Sequence, residues 1–587
     1  MRVRLAVAVA AVAAACLTVP TSAQPSRPWT ARPATYGVSV TKDIPITMSD
    51  GTVLTANVFR PARRDGSPAP GRFPTLLVQT PYNKNTQDPH SDYLVQRGYV
   101  DVIVDVRGAG GSGGTFDSWG SRQQTDSKEL VAWAAAQPWS TGKVGLHGES
   151  WYAINQLLTA AQQPPALKAI FPVVPTGDNY RTTLPGGYLT SLFVFDILDP
   201  AEASTPPGYT TSDPGRAVET LGSRPSSFAN AMDYNVTTML GGSGAYDGPY
   251  YRATSPLWLI DRIKTPTFLV GGWYDALSQR DAPLLFHELQ KRHVPARLLM
   301  GPWYHTTAGQ GLPADGVPDI NALQLRWFDH YVRGQRDPSL DSAPPVAYQR
   351  VGEGHFHTAP TWPVRGITYQ QLFLNASAAL SRTKGTGAAD VLPGQPLSGA
   401  CTRSTYAGTF GLAPSTPCET DSSTNDQTGL TYDLPVTRDL DLTGPMSAHL
   451  YVSTTSSDAF LTMHIEDVDP ATGQADELTS GWDTLSFRKL DTRRNISLGR
   501  AGIIPFHPYT KESREQITSG KVYDWWLEIR PVAARIKAGH LLRLSLQPAD
   551  SVRFLPTAPA LAATTGSLLS IYHDAVHPST LIIPSTR

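Results

Sequence analysis

Six near-continuous apolar runs, most of them followed by helical stretches, constrain this chain more than any other feature. "FPTLLVQTPY", "YVDVIVDVRG", "GKVGLHG", "LKAIFPVV", "TPTFLVGGWYD" and "RLLMGPWYHTT" carry apolar residues on both faces, as strands buried from both sides do. "QTDSKELVAWAAAQP" has a candidate capping residue, acids in its first turn, apolar positions at helical spacing and Pro138 at its end. "WYAINQLLTAAQQ" is a second helix, stopped by Pro164-Pro165. "ITMSDGTVLTANVFRP" reads as a hairpin turning at Asp50-Gly51. Strand–helix–strand repetition predicts a parallel α/β sheet with right-handed crossovers, formed by residues 24–176 and 263–345.

Between those halves, residues 177–262 break the rhythm with Gly, Pro, Tyr, Ser and Thr and only short helical stretches such as "PSSFANAMDYNVTTML". An insertion at the C-terminal edge of a sheet is where a substrate-covering cap belongs. Residues 346–587 change texture to short alternating runs between turn residues, beginning with "AYQRVGEG". That pattern predicts an antiparallel sandwich or jelly roll. A length of 587 residues, with 40% hydrophobic and 17% charged, suits several buried cores and excludes a disordered chain. A formal charge of -1 gives no footprint for nucleic acid or an acidic membrane.

Arg2 and Arg4, the apolar stretch "LAVAVAAVAAACLTV" and Thr21-Ser22-Ala23 read as an export signal over residues 1–23. The stretch is too short to span a membrane comfortably, and no other segment is apolar enough. The mature chain is expected to be secreted, lipid anchoring through Cys16 being the minor alternative. Cys401 and Cys418 then remain and are expected to pair across their short loop in an oxidising compartment.

Within "KVGLHGESWYAINQLL", Gly148-Glu149-Ser150 follows a buried strand and opens a helix. This is the context of a nucleophile elbow, whose helix N-terminus offers N–H groups to a developing oxyanion. Tyr152 replaces the second glycine of G-x-S-x-G, so the motif alone leaves Ser150 either a nucleophile or an ordinary helix cap. Hydrolases of this class supply acid and base in the order Ser, Asp, His. Asp275 ends "FLVGGWYD", His305 follows "RLLMGPWY", and Asp281 is a rival acid. His147 and Glu149 read as structural, and His287 and His293 as packed or solvent-facing on the helix "PLLFHELQKRH".

Gly108-x-Gly110-x-x-Gly113 after a strand has the form of a dinucleotide fingerprint, but the helix that should open inside it is missing and Asp126 belongs to a helix start. A glycine loop with unusual backbone angles is the better account. Tyr82, at the end of "LLVQTPY", is either an oxyanion donor or a half-buried loop tyrosine. No Cys/His cluster, HExxH or EF-hand loop appears, so no metal or cofactor is expected.

Taken together, "TPYNK", "DVRGAGGSGG", "GKVGLHGESWY", "LKAIFPV", "GGWYD" and "GPWYH" resemble the CocE/NonD family of cocaine esterase, α-amino acid ester hydrolase, glutaryl-type acylase and X-Pro dipeptidyl-peptidase. "LPVTRDLDLTGPMSAHLYVSTT", "IEDVDP" and "IKAGHLLRLSL" resemble that family's C-terminal β domain, so the likeness runs from about residue 40 to 580. It implies an α/β-hydrolase core, an inserted helical cap and a C-terminal jelly roll. On matching positions it implies Ser150 as nucleophile, His305 as general base and Asp275 as orienting acid, with the Tyr82 hydroxyl and the Trp151 N–H as oxyanion donors. Two positions depart from the family's habit: Trp151 stands where Tyr is common, and Ala153 where Gly is. A backbone donor tolerates the first, and a small side chain the second.

The expectation is a secreted serine hydrolase acting on a small ester, amide or short peptide through an acyl-enzyme, with no nucleic-acid partner and no stable membrane insertion. The runner-up is an X-Pro dipeptidyl-peptidase, for which Asp178, Asp196, Asp199 and Glu202 offer carboxylates to an ammonium group. Asp178 with Arg181 also reads as a local ion pair. A non-catalytic secreted binding protein is the alternative from another class.

Overall fold

The computed structural model describes residues 29–190, 229, 232–385, 387–412, 417–551 and 553–585. The export signal with Cys16, and the cap acids Asp196, Asp199 and Glu202, lie outside the described residues.

The apolar runs form one mixed sheet. Strands β1 (Gly37–Thr47) and β2 (Val53–Ala62) make the hairpin expected around Asp50-Gly51. They are followed by β3 (Phe73–Thr80), β4 (Val100–Asp105), β5 (Ser140–Glu149) and β6 (Leu167–Val173). After β7 (Tyr188–Thr190) in the insertion come β8 (Thr267–Gly272), β9 (Ala296–Gly301), β10 (Val346–Gln349) and β11 (Phe356–Ala359). The order is β1-β2-β4-β3-β5-β6-β8-β9-β10-β11, parallel from β4 to β10.

Burial explains why these runs lack alternation. Leu77 and Leu146 join the cluster that also holds Leu130 and Leu157 of the Ser121–Ala136 and Trp151–Ala161 helices. Leu76, Phe171 and Phe268 face the other way, against Trp327 and Phe328. With both faces covered, each such side chain contributes about 1.5–3 kcal/mol of hydrophobic stabilisation. The first of these helices starts at Ser121, three residues before the expected stretch, and its Gly120 cap makes no side-chain bond.

One boundary differs from expectation. "AYQRVGEG" opens with β10, which pairs in parallel with β9 through Val346↔Leu298, so the core sheet runs to Ala359 and not to residue 345. Next to the sheet's last strand, β10 alternates between buried and half-buried positions as a sandwich strand does, so alternation could not assign it.

The second sheet contains β12 (Thr368–Asn375), β13 (Ala379–Ser381), β14 (Ala389–Pro393), β15 (Leu430–Pro435) and β16 (Leu440–Thr454). Strands β17 (Phe460–Val468) and β18 (Ala475–Thr484) follow, then a small separate pair, β19 (Ile496–Ser497) and β20 (Ile503–Ile504). The chain ends with β21 (Tyr523–Ile536), β22 (Leu541–Gln547), β23 (Phe554–Pro556), β24 (Leu568–Tyr572) and β25 (Thr580–Ser585). Pairing of β25 with both β12 and β16 closes the main ring on itself, which removes its exposed edges. The jelly-roll class is thus realised as a closed β domain.

The insertion is not helical throughout. It holds the short helices Asn179–Thr183 and Pro249–Thr254, but β7 pairs antiparallel with β23 of the β domain. Among the described residues no helix is long and apolar enough to cross a membrane.

Candidate active site

Tyr82, Ser150, Asp275 and His305 each follow the C-terminal end of a parallel strand, β3, β5, β8 and β9 respectively. The sheet's topology therefore brings to one edge residues separated by more than two hundred positions.

At the elbow, Gly148 has φ +118° and a Cβ there would lie 2.8 Å from Tyr152 Cβ. Ser150 itself sits at φ 59°, ψ −126°, a strained conformation for a residue with a side chain. Its N–H donates to the Val173 carbonyl (3.0 Å), and its own carbonyl accepts from Ala153 and Ile154 at 2.9 and 3.2 Å. The helix is thus begun by the Ser150 backbone while its side chain makes no capping bond. That distinguishes it from an ordinary cap serine, whose hydroxyl would be turned onto the N–H of the next turn.

Trp151 opens the helix, so its N–H is one of those without an intrahelical acceptor. Its buried indole donates to Ser118 Oγ (3.2 Å) and stacks on Trp119 at 5.3 Å. Tyr152, the departure from the two-glycine motif, meets the Tyr82 ring edge-on at 5.6 Å. Ala153 is fully buried in the helix packing.

Tyr82 is held by the turn behind it. The N–H of Lys84 donates to Asp105 Oδ1 (2.7 Å), and Lys84 Nζ, buried, reaches Asp105 Oδ2 at 2.9 Å and Asp43 at 3.0 Å. The glycine loop explains itself here. Gly111 N–H donates to the same Asp105 carboxylate (2.8 Å), and a Cβ at Gly110 would fall 2.2 Å from it. The loop wraps a buried ion pair, and Asp126 belongs to the Ser121–Ala136 helix, paired with Arg107 at 2.8 Å.

His305 Nδ1 lies 2.9 Å from Asp275 Oδ1. Asp275 is buried and accepts from the N–H of Leu277 (3.2 Å), the N–H of Ser278 (2.9 Å) and the Ser278 hydroxyl. Burial opposes its ionisation, but the His305 imidazole and these donors outweigh burial and hold its pKa below the usual carboxylate value. Asp281, the rival acid, is engaged elsewhere: its Oδ2 accepts from Thr176 Oγ1 and the N–H groups of Gly177 and Asp178, at 2.7–2.9 Å.

The remaining candidates fall where expected or nearby. His147 Nε2 contacts the Asp101 carboxylate at 2.9 Å, and His287 Nδ1 contacts the Trp362 carbonyl at 2.9 Å. His293 lies just past the Ser278–Lys291 helix rather than on it. Asp178 caps the Asn179–Thr183 helix and pairs with Arg181 at 2.7 Å. Cys401 and Cys418 are joined, with Cα atoms 4.7 Å apart.

Sequence reasoning missed what the β domain brings. The Phe410 ring packs on the His305 imidazole at 4.9 Å, and its carbonyl accepts from Thr306 N–H (3.3 Å) and Oγ1 (3.0 Å). Arg403 lies over the Tyr274 ring at 4.1 Å and donates to the Tyr304 hydroxyl at 3.3 Å. It thereby pins the residues immediately before Asp275 and His305. No local motif carries these contacts, because they join segments about a hundred residues apart.

The chain is an α/β-hydrolase core with an elbow at the C-terminal edge of its parallel strands, joined to a closed β domain, and the proteins it matches make it a serine hydrolase. Residues 50–307 match the X-Pro dipeptidyl-peptidase (S15) family, and residues 338–582 match the X-Pro dipeptidyl-peptidase C-terminal non-catalytic domain. The chain thus carries an S15 domain followed by the C-terminal domain that bears the same family's name. Cocaine esterase of a Rhodococcus species is 26% identical over 530 residues, covering 79% of this chain and 86% of that protein. A CocE/NonD family hydrolase from Staphylococcus aureus superposes with TM-score 0.69 at 21% identity, over 93% of both chains. An α-amino acid ester hydrolase superposes with TM-score 0.72 at 18% identity, over 97% of this chain and 100% of the other. These two likenesses are likenesses of fold.

Proposed function

We propose that the chain is an exported hydrolase of acyl esters or amides that works through Ser150, His305 and Asp275. The observation that carries this is the Ser150 elbow, strained and uncapped by its own hydroxyl, on the edge that also bears the His305–Asp275 contact. In this account His305 takes the Ser150 proton as the serine attacks the acyl carbon. Asp275 fixes the imidazole through Nδ1, leaving Nε2 for that transfer. The Trp151 N–H and the Tyr82 hydroxyl donate to the tetrahedral oxyanion. His305 then protonates the leaving group, and water releases the acyl-enzyme by the same route. Similarity to a cocaine esterase supports an ester substrate.

The family's own name supports the second reading, an X-Pro dipeptidyl-peptidase. That activity requires a carboxylate for the substrate's ammonium group. Asp178 is ill suited to it: despite burial, Arg181 and its neighbours hold it ionised and engaged. Rates on short-chain aryl esters and on Gly-Pro-anilide separate the two. Faster aryl-ester cleavage is expected; dominant Gly-Pro cleavage would establish the second reading instead.

A further inference from the structure

We propose that Arg530, contributed by the β domain, is a positioning residue for Asp275. The inference rests on the triad reading above and assigns a catalytic duty to a domain classed as non-catalytic.

The Asp275 turn is gripped from two sides at one point of β21. Arg530 Nη1 donates to the Ala276 carbonyl at 2.8 Å. Three residues on, Gln279 Nε2 donates to Thr479 Oγ1 at 3.0 Å, and that hydroxyl donates to the Arg530 carbonyl at 2.9 Å. Gln279 N–H in turn donates to the Asp275 carbonyl at 3.3 Å. Side chain and main chain of a single β-domain residue thus hold both flanks of the acid turn.

Arg530 is 5% exposed, and its guanidinium lies over the Trp482 ring at 4.3 Å. Among the described residues no carboxylate lies within ion-pairing distance of it, the nearby Glu528 and Asp281 being paired with Arg280. Burial and the neighbouring Arg553 both work against its charge. Without an ion pair, the guanidinium has Trp482 against its face and the carbonyl next to Asp275 as the acceptor of its hydrogen bond. Such a hold matters because small displacements of the acid turn misdirect the imidazole and are felt in turnover.

Arg530→Met removes the donors and keeps the length, and Arg530→Lys keeps one donor. Expected for Arg530→Met is a kcat on an aryl ester at least tenfold lower with KM within twofold, and for Arg530→Lys recovery of most of the rate. A wild-type kcat in folded Arg530→Met would overturn the inference, as would a lysine variant no better than methionine. Should Arg530→Met not fold, Gln279→Met cuts the other grip; at least a threefold loss in kcat at unchanged KM is expected, and no loss would overturn the inference. Fluorophosphonate labelling of the wild-type Ser150 tests the underlying triad separately. Failure there removes that reading and this inference with it, whereas labelling intact beside a wild-type kcat in Arg530→Met removes this inference alone.

Discussion

His305 Nδ1 and Asp275 Oδ1 stand 2.9 Å apart, joining the turns after β9 and β8. Because Asp275 also accepts two backbone N–H groups, its carboxylate plane is fixed and presents one acceptor to the imidazole. Asp275→Asn should preserve packing but present the wrong partner for Nδ1–H. The expected result is a kcat on an aryl ester lowered roughly 10²- to 10⁴-fold in a protein that still folds. A kcat within threefold of wild type would show that Asp275 does not orient the base.

The elbow makes its own demand on Gly148. At φ +118°, with Tyr152 Cβ 2.8 Å from where a Cβ would sit, Gly148→Ala must strain the backbone or move the helix start. A cost of about 1–3 kcal/mol is expected. It should appear as a lower melting temperature together with slower fluorophosphonate labelling. An alanine variant matching wild type in both would mean that the turn relaxes without consequence.

In the β domain, fully buried His464 lies 3.3 Å from Glu477. Burial disfavours its charge, but Glu477 and then Asp550 outweigh it and push the pKa up to about 10. A histidine raised above its unfolded value of roughly 6.5 binds an extra proton in the fold. Its stabilisation is fully present below about pH 6.5 and is lost as pH rises through about 10. Glu466, raised chiefly by burial, acts in the same direction, since it stays protonated in the fold where an unfolded glutamate ionises. Melting temperature should therefore fall as pH climbs from neutral towards 10. His464→Gln should be less stable at pH 6 and show a shallower fall. Parallel curves for the two proteins would contradict the assignment.

The meeting of Ser150, Asp275 and His305 on one sheet edge was legible because its information is local. Ser150, Asp275 and His305 each end an apolar strand run, and a strand's direction decides which edge its last residue reaches. The bland alternative for Ser150 stayed open in the sequence because Gly-x-Ser at a strand–helix junction serves both roles. Only the backbone angles and the missing capping bond separate them. The assignment of 346–359 failed for the converse reason, since β10, next to the sheet's last strand, alternates between buried and half-buried residues as sandwich strands do. Phe410, Arg403 and Arg530 were illegible because their contacts depend on how two distinct sheets meet. Tyr82 gained its place from a turn anchored by Lys84 and Asp105, a buried pair that no charge pattern announces.

The most direct measurement is to label the protein with a fluorophosphonate, digest it and locate the adduct by mass, alongside aryl-ester turnover of Ser150→Ala. One phosphonyl group per chain is expected, on Ser150, with labelling and turnover both abolished in the folded alanine variant. An adduct on another residue, or turnover retained by Ser150→Ala, would contradict it.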